Sequence, residues 1–425
     1  MNVIKVKIDS FINYLIIFFP IYIILGPLMM NLFSLLMSAY VFLYLKEFKK
    51  ILLSNEKFFL LIIFFVFFIF PYNSINFENS LIKYVSQLRY ILMFFGIIIF
   101  LNNTNSEKLL NKTKKFYLIL LIIISIDVLK EYFTGKNFLG YNTSYTGRIA
   151  SFTNDELIIG YIFSFLVLFS FGIFDFKINK KYILLFFYIL FIISFLIGER
   201  SNFFKLLIII IFFSSLHYFI KYKFTLFKLF KSFLIIFLLT LTFWIVLKNT
   251  EQAKKIYNLP VSILNNYSKD LPISHNFYET KHAPHYLTAI KIFSNYPFFG
   301  IGIDNYKEES KKKKYENNKL KFSKFRSSTH PHQIHLEILS EVGIIGFFYL
   351  SIIFTWSFII GIKSYFKNFN LHLLGHLMLH VFFIFPILPT GSFFGTIYGM
   401  PFWFNLSILI YLSKRIEIKS FLKNI

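Results

Sequence analysis

Six of the ten histidines, His275, His282, His285, His330, His332 and His335, fall within one polar stretch running from about Lys248 to His335. An unperturbed imidazole, with a pKa of about 6.5, can take a proton from a hydroxyl near neutral pH. The cluster is therefore the sharpest candidate for general-base chemistry. Its last part, His330-Pro-His332-Gln333-Ile-His335, leads into Leu336-Glu337-Ile-Leu-Ser-Glu341-Val-Gly343-Ile-Ile-Gly346, and Pro331 is placed to set the start of a helix. On that helix His332 and His335 share a face one turn apart, where water meets membrane. The competing reading is that they cap the helix or meet lipid head groups. Zinc is the rival chemistry. No HExxH occurs, the His spacings of two and three lack a matching motif, and cysteine is absent, which removes Cys-ligated zinc, thiolate nucleophiles and disulfides. No metal and no cofactor are expected.

A second segment of the same stretch, His282-Ala-Pro-His285-Tyr286 through Ala289 to Pro297-Phe-Phe-Gly300-Ile-Gly302, predicts a short amphipathic helix ended by a Pro/Gly turn. Gly300 and Gly302 allow a tight backbone path. As a phosphate cradle Gly-Ile-Gly is a weak signal, and a structural role is the stronger reading. Two arginines stand out in a chain that prefers lysine: Arg148, in Tyr145-Thr-Gly-Arg-Ile, and Arg200, in Gly198-Glu-Arg-Ser-Asn202. A guanidinium presents a planar fork of donors suited to a diphosphate and keeps its charge. Interfacial anchoring, or an ion pair of Arg200 with Glu199, is the plainer alternative. Arg89 belongs with them or snorkels.

These residues need elements to hold them, and composition says what kind. The 425 residues are 56% hydrophobic and 16% charged, which exceeds what a soluble domain needs for its core. The apolar residues come in unbroken runs, as in 58–71, 118–126 and 182–198, which is the mark of spanning helices. The expected fold is all-α and polytopic, with roughly 12 spans of about 17 to 22 residues each. They are placed near 11–29, 31–45, 57–71, 84–101, 116–131, 156–174, 182–198, 203–219, 232–247, 338–361, 371–389 and 394–412. The first lacks a small-x-small cleavage site and runs into another apolar stretch, so it reads as a retained span.

Charge then sets orientation. The net charge of +24 is gathered in short lysine clusters between apolar runs, a topology signal rather than a nucleic-acid footprint. With the N-terminus inside, alternate short segments hold nearly all the lysines, whereas the opposite ones hold only Lys83, Lys136, Arg148 and Arg200. Both termini are thus expected in the cytoplasm, and the 248–335 loop in the periplasm. Three regions follow: about nine spans over 1–247, a large, partly helical periplasmic loop over 248–335, and about three spans over 336–425. Lys311–Lys314 reads as a solvated loop tip.

The order of Arg200-Ser201, a large outside loop, Ala289 to Pro297 to Gly300-x-Gly302, and His332-Gln333-x9-Gly343-x-x-Gly346 resembles the O-antigen ligase/O-antigen polymerase superfamily, over about 147–412. That resemblance implies a bacterial inner-membrane glycosyltransferase, independent of metal and nucleotide sugar, that moves a glycan from an undecaprenyl-pyrophosphate carrier to an acceptor hydroxyl. The acceptor would be the lipid A core or a second lipid-linked repeat unit, and a chain-length regulator is a possible partner. It further implies that His332 deprotonates the acceptor and that Arg148 and Arg200 hold the pyrophosphate. His335, His282, His285, Gln333, Arg89, Gly300 and Gly302 would then contact substrate. Phe347-Phe348 stands where many ligases have a small polar pair, and His282 where many relatives have Arg. Pro389-Thr-Gly-Ser-Phe-Phe-Gly with Trp403 resembles polymerase-type members, so ligase and polymerase both stand. A flippase or transporter of lipid-linked glycans is the rival from another class, and a membrane scaffold a third.

Overall fold

A computed structural model describes residues 2–53, 66–67, 69–143, 145–156, 158–173, 180–222, 248–254, 280–317, 320 and 322–423. The expected span 232–247, most of 57–71, and His275 lie outside the described residues. Among the described residues the regular structure is helical throughout. The chain divides into two compact units: Met1–Leu109, Tyr267–Ser364 and Phe383–Ile425 form the first, Leu110–Asn266 and Tyr365–Phe382 the second.

The first unit opens with α1 (Asn2–Ile17), α2 (Phe19–Leu25), α3 (Pro27–Leu43) and α4 (Leu45–Leu53). Two spans were expected here. Each is instead a bent pair, 58° between α1 and α2 and 90° between α3 and α4. Pro20 lacks the amide hydrogen that would carry α1 on into α2, while Gly26, at φ 95°, and Pro27 separate the first pair from the second. α5 (Phe77–Asn103) is straight, with the Asn76 side chain accepting from the Asn79 amide at 3.2 Å as its cap. Gly96 lets α5 press on α3, since a β-carbon there would lie 2.2 Å from the Met37 carbonyl oxygen.

The polar stretch folds around its own small core of Ala289, Ile292, Ile301, Tyr306 and Tyr315. Its helices are α10 (Ala283–Asn295) and α11 (Tyr306–Ser310), and the unit closes with most of α12 (Ile334–Asn368) and with α14 (Thr396–Lys423). The second unit comprises most of α6 (Ser106–Thr134), with α7 (Ile159–Ser170), α8 (Lys180–Ile197), α9 (Arg200–Tyr222) and α13 (Leu371–Phe383). Among the described residues α5, Arg200–Lys221 and α12 are long and apolar enough to cross a membrane, and the two bent pairs raise the number to five. The expected 371–389 span ends as a helix at Phe383, because Pro386 and Pro389 follow.

Candidate active site

Four of the histidines meet in the first unit, around His332. Its ring centroid lies 4.4 Å from that of His330, 4.8 Å from His285 and 6.1 Å from His282. Two elements bring them together. α10 starts with Pro284 in its first turn and carries His285 inward, where Tyr306 Oη donates to the His285 carbonyl at 2.9 Å. Ser328 Oγ lies 3.2 Å from His285 Nδ1 and donates to the His330 carbonyl at 2.6 Å, tying the second segment to the first.

His332 itself sits in the left-handed region at φ 57°. A side chain there costs about 1–2 kcal/mol, so something must hold it. Thr390 does: its amide donates to the His332 carbonyl at 2.9 Å, and its Oγ1 accepts from the Ile334 amide at 2.8 Å. Gln333 caps α12 through its side-chain oxygen, which accepts from the Leu336 amide at 2.8 Å. His335 turns to the segment after α13, with Nε2 3.0 Å from the Ile384 carbonyl oxygen.

Burial keeps protons off three of the imidazoles. Burial first, then the imidazoles of His330, His285 and His282, push His332 down to about 3. Burial likewise takes His330 down to about 4 and lowers His285. An unprotonated imidazole can receive a proton at once, but at so low a pKa it holds one weakly. A polyanion beside it would raise its basicity, because opposite charge favours the protonated form. The arrangement suits a base that becomes strong only when a phosphate-bearing substrate is present.

Gly300 and Gly302 act through backbone. α12 breaks at Gly343, where φ is 67°. Across the break, the Ile301 and Gly302 amides donate to the Ser340 and Glu341 carbonyls at 3.0 and 2.8 Å, while the Ile344 amide donates to the Pro297 carbonyl at 2.8 Å. The strap lies so close that a β-carbon on Gly300 would sit 2.4 Å from the Glu341 carbonyl carbon. Their positive φ angles, 68° and 88°, complete the case for glycine.

Sequence reasoning passed over two carboxylates on this helix. Glu337 accepts from Ser392 Oγ and from the Phe393 amide at 2.7 Å, and Glu341 accepts from the Tyr306 amide at 3.3 Å. Both are buried. Their signal was spacing: two acids one turn apart in an otherwise apolar run. Arg89 is engaged by Asn31 Oδ1 at 2.9 Å and Ser86 Oγ at 3.0 Å, and stacks over the Tyr90 ring. Among the described residues no three His, Cys, Asp or Glu side chains gather in a form that could hold a metal ion.

In the second unit, Arg148 and Arg200 belong to adjoining segments, because the Ile149 amide donates to the Ile197 carbonyl at 3.0 Å. Gly198 permits that approach: a β-carbon there would meet the Gly147 carbonyl oxygen at 2.2 Å. The two guanidiniums repel one another, so an anion between or beside them is favoured. Glu199 accepts from the Gly160 amide at 2.9 Å and Asn202 Nδ2 at 2.6 Å, with Arg148 and Lys205 in electrostatic reach.

Residues 183–351 match the family model described as O-antigen ligase. Over that stretch the chain is similar to the O-antigen ligases. The matched stretch holds Arg200, His282, His285, Gly300, Gly302, His332, Gln333 and His335, and it falls inside the 147–412 region of the sequence resemblance. Arg89 and Arg148 precede it. No curated protein matches the chain. The match and the apolar helices both fit an integral membrane protein with glycosyltransferase-type activity of the O-antigen ligase kind.

Proposed function

We propose that this chain, similar to O-antigen ligases over residues 183–351, transfers a glycan from an undecaprenyl-pyrophosphate carrier to an acceptor hydroxyl at the periplasmic face of the bacterial inner membrane. It acts as an O-antigen ligase on lipid A core or as a polymerase extending a second lipid-linked repeat. The observation that carries this reading is His332 at the centre of an imidazole nest, within the family-matched stretch. The acceptor oxygen attacks the anomeric carbon, the bond to the pyrophosphate breaks, and His332 receives the hydroxyl proton. The leaving group is already activated, so positioning, proton removal and charge neutralisation are what the protein must add. Arg148 and Arg200 supply the neutralisation, and neither metal nor nucleotide sugar is required.

The test is His332→Ala in the native host, with surface polysaccharide resolved on gels and carrier-linked glycan assigned to a leaflet. Loss of the modified ladder with donor accumulating on the outer leaflet supports transfer. An unchanged ladder at normal protein level overturns the role of His332, and accumulation on the inner leaflet replaces transfer with transport.

A further inference from the structure

The nest works only if the His332 imidazole is held in place, and the hydrogen bonds around it come from an unexpected direction. The segment between α13 and α14 is stapled to the start of α12 at three points. His335 Nε2 meets the Ile384 carbonyl, Thr390 brackets Gln333 by bonding the residue on either side, and Glu337 takes Ser392 Oγ and the Phe393 amide. Tyr286 Oη adds a bond to the Ile387 carbonyl at 3.3 Å, and Tyr398 Oη one to the Phe383 carbonyl at 2.7 Å. Thr390 is buried, and its backbone also lies against the His330 imidazole.

We infer that Thr390 is a positioning residue for the transfer reaction: its amide and hydroxyl fix the left-handed backbone of His332 and so aim that imidazole. The inference rests on the proposed role of His332 as base. Among the described residues the Thr390 amide is what satisfies the His332 carbonyl, and the Ile334 amide opens α12 and needs an acceptor from outside the helix, which the Thr390 hydroxyl supplies. The groups that face His332 are the imidazoles of His282 and His285 from α10 and its start, and His330 from its own segment. Tyr286 and Arg326 lie nearby through His282 and His285. Removing the hydroxyl while keeping the shape leaves the Ile334 amide without its acceptor, so the turn relaxes and His332 moves toward water.

The experiment compares Thr390→Val, Thr390→Ser and His332→Ala with the wild type in proteoliposomes, using a synthetic polyprenyl-pyrophosphate glycan as donor and measuring kcat and KM separately across pH. Thr390→Val is expected to lower kcat about 10- to 100-fold with donor KM within about twofold, and Thr390→Ser to restore most of it. In the wild type kcat/KM stays level as pH falls to about 5, whereas in Thr390→Val it declines below about 6.5, the ordinary imidazole value. A Thr390→Val enzyme with wild-type kcat and pH profile overturns the inference. So does one whose kcat loss tracks a loss of folded protein with no change in profile, or one that serine does not rescue. If His332→Ala is itself fully active, the base assignment fails with it. If His332→Ala is inactive and Thr390→Val is normal, the positioning role alone fails.

Discussion

At the residue scale the chemistry turns on histidines kept neutral by each other and by burial. Because His332 and His330 are pushed down to about 3 and 4, while an unfolded chain titrates near 6.5, the sign of the pH effect is fixed. Between about pH 6.5 and 4 the unfolded chain binds protons that the folded one does not, so stability is full above 6.5 and falls as pH drops through that window. Thermal unfolding in detergent should therefore start at lower temperatures as pH is taken from 7.5 to 4.5, and His332→Gln should flatten the trend. A pH-independent midpoint would contradict buried, unprotonated His332 and His330. For the guanidiniums, Arg200→Lys keeps charge but loses the planar fork, so donor KM should rise severalfold while kcat changes less. Equal KM values for Lys and Arg at 200 would argue against a diphosphate ligand. Most of the nest was legible in the sequence, since His282, His285, His330 and His332 announced themselves by clustering. Thr390 was not, because it reaches Ile334 across 56 residues and its type carries no chemical signal.

At the element scale the Gly343 break is the feature that shapes the site. The sequence shows the Pro297-to-Gly302 run and the Gly343-to-Gly346 run, and predicts a turn and a helix entry. It does not show that they exchange backbone hydrogen bonds, because such pairing depends on which carbonyls the break frees. Gly343→Ala should cost about 1–2 kcal/mol from the left-handed backbone alone, and more from its β-carbon, which would come within 2.2 Å of the Phe298 carbonyl oxygen. Lower thermal stability and lower transfer together are expected, and a variant as stable as the wild type would show that the strap is not held there. The helices α8 and α9 lie within about three residues of the expected 182–198 and 203–219, whereas α5 begins seven residues before the expected 84 and α12 ends seven residues after the expected 361. They were missed where proline or glycine interrupts an apolar run, as at Pro20, Gly26 and Pro386, because hydropathy averages over the break.

At the scale of the whole molecule, orientation is the property the lysine distribution addresses most directly. The chain has no cysteine, so a single introduced thiol reports its own side of the membrane without background. Exposed Lys311→Cys should react with an impermeant maleimide in cells whose outer membrane has been permeabilised, and Lys367→Cys only after lysis. The opposite labelling pattern would invert the proposed topology. The amide–carbonyl exchange between the Pro297–Gly302 strap and the two ends of the broken helix has a further consequence, for engineering. Each partner completes hydrogen bonds that the other leaves open, so chimeras between relatives that swap the histidine-bearing region should fail if the junction falls between residues 302 and 343. They should survive when the graft carries both sides of that braid as one cassette.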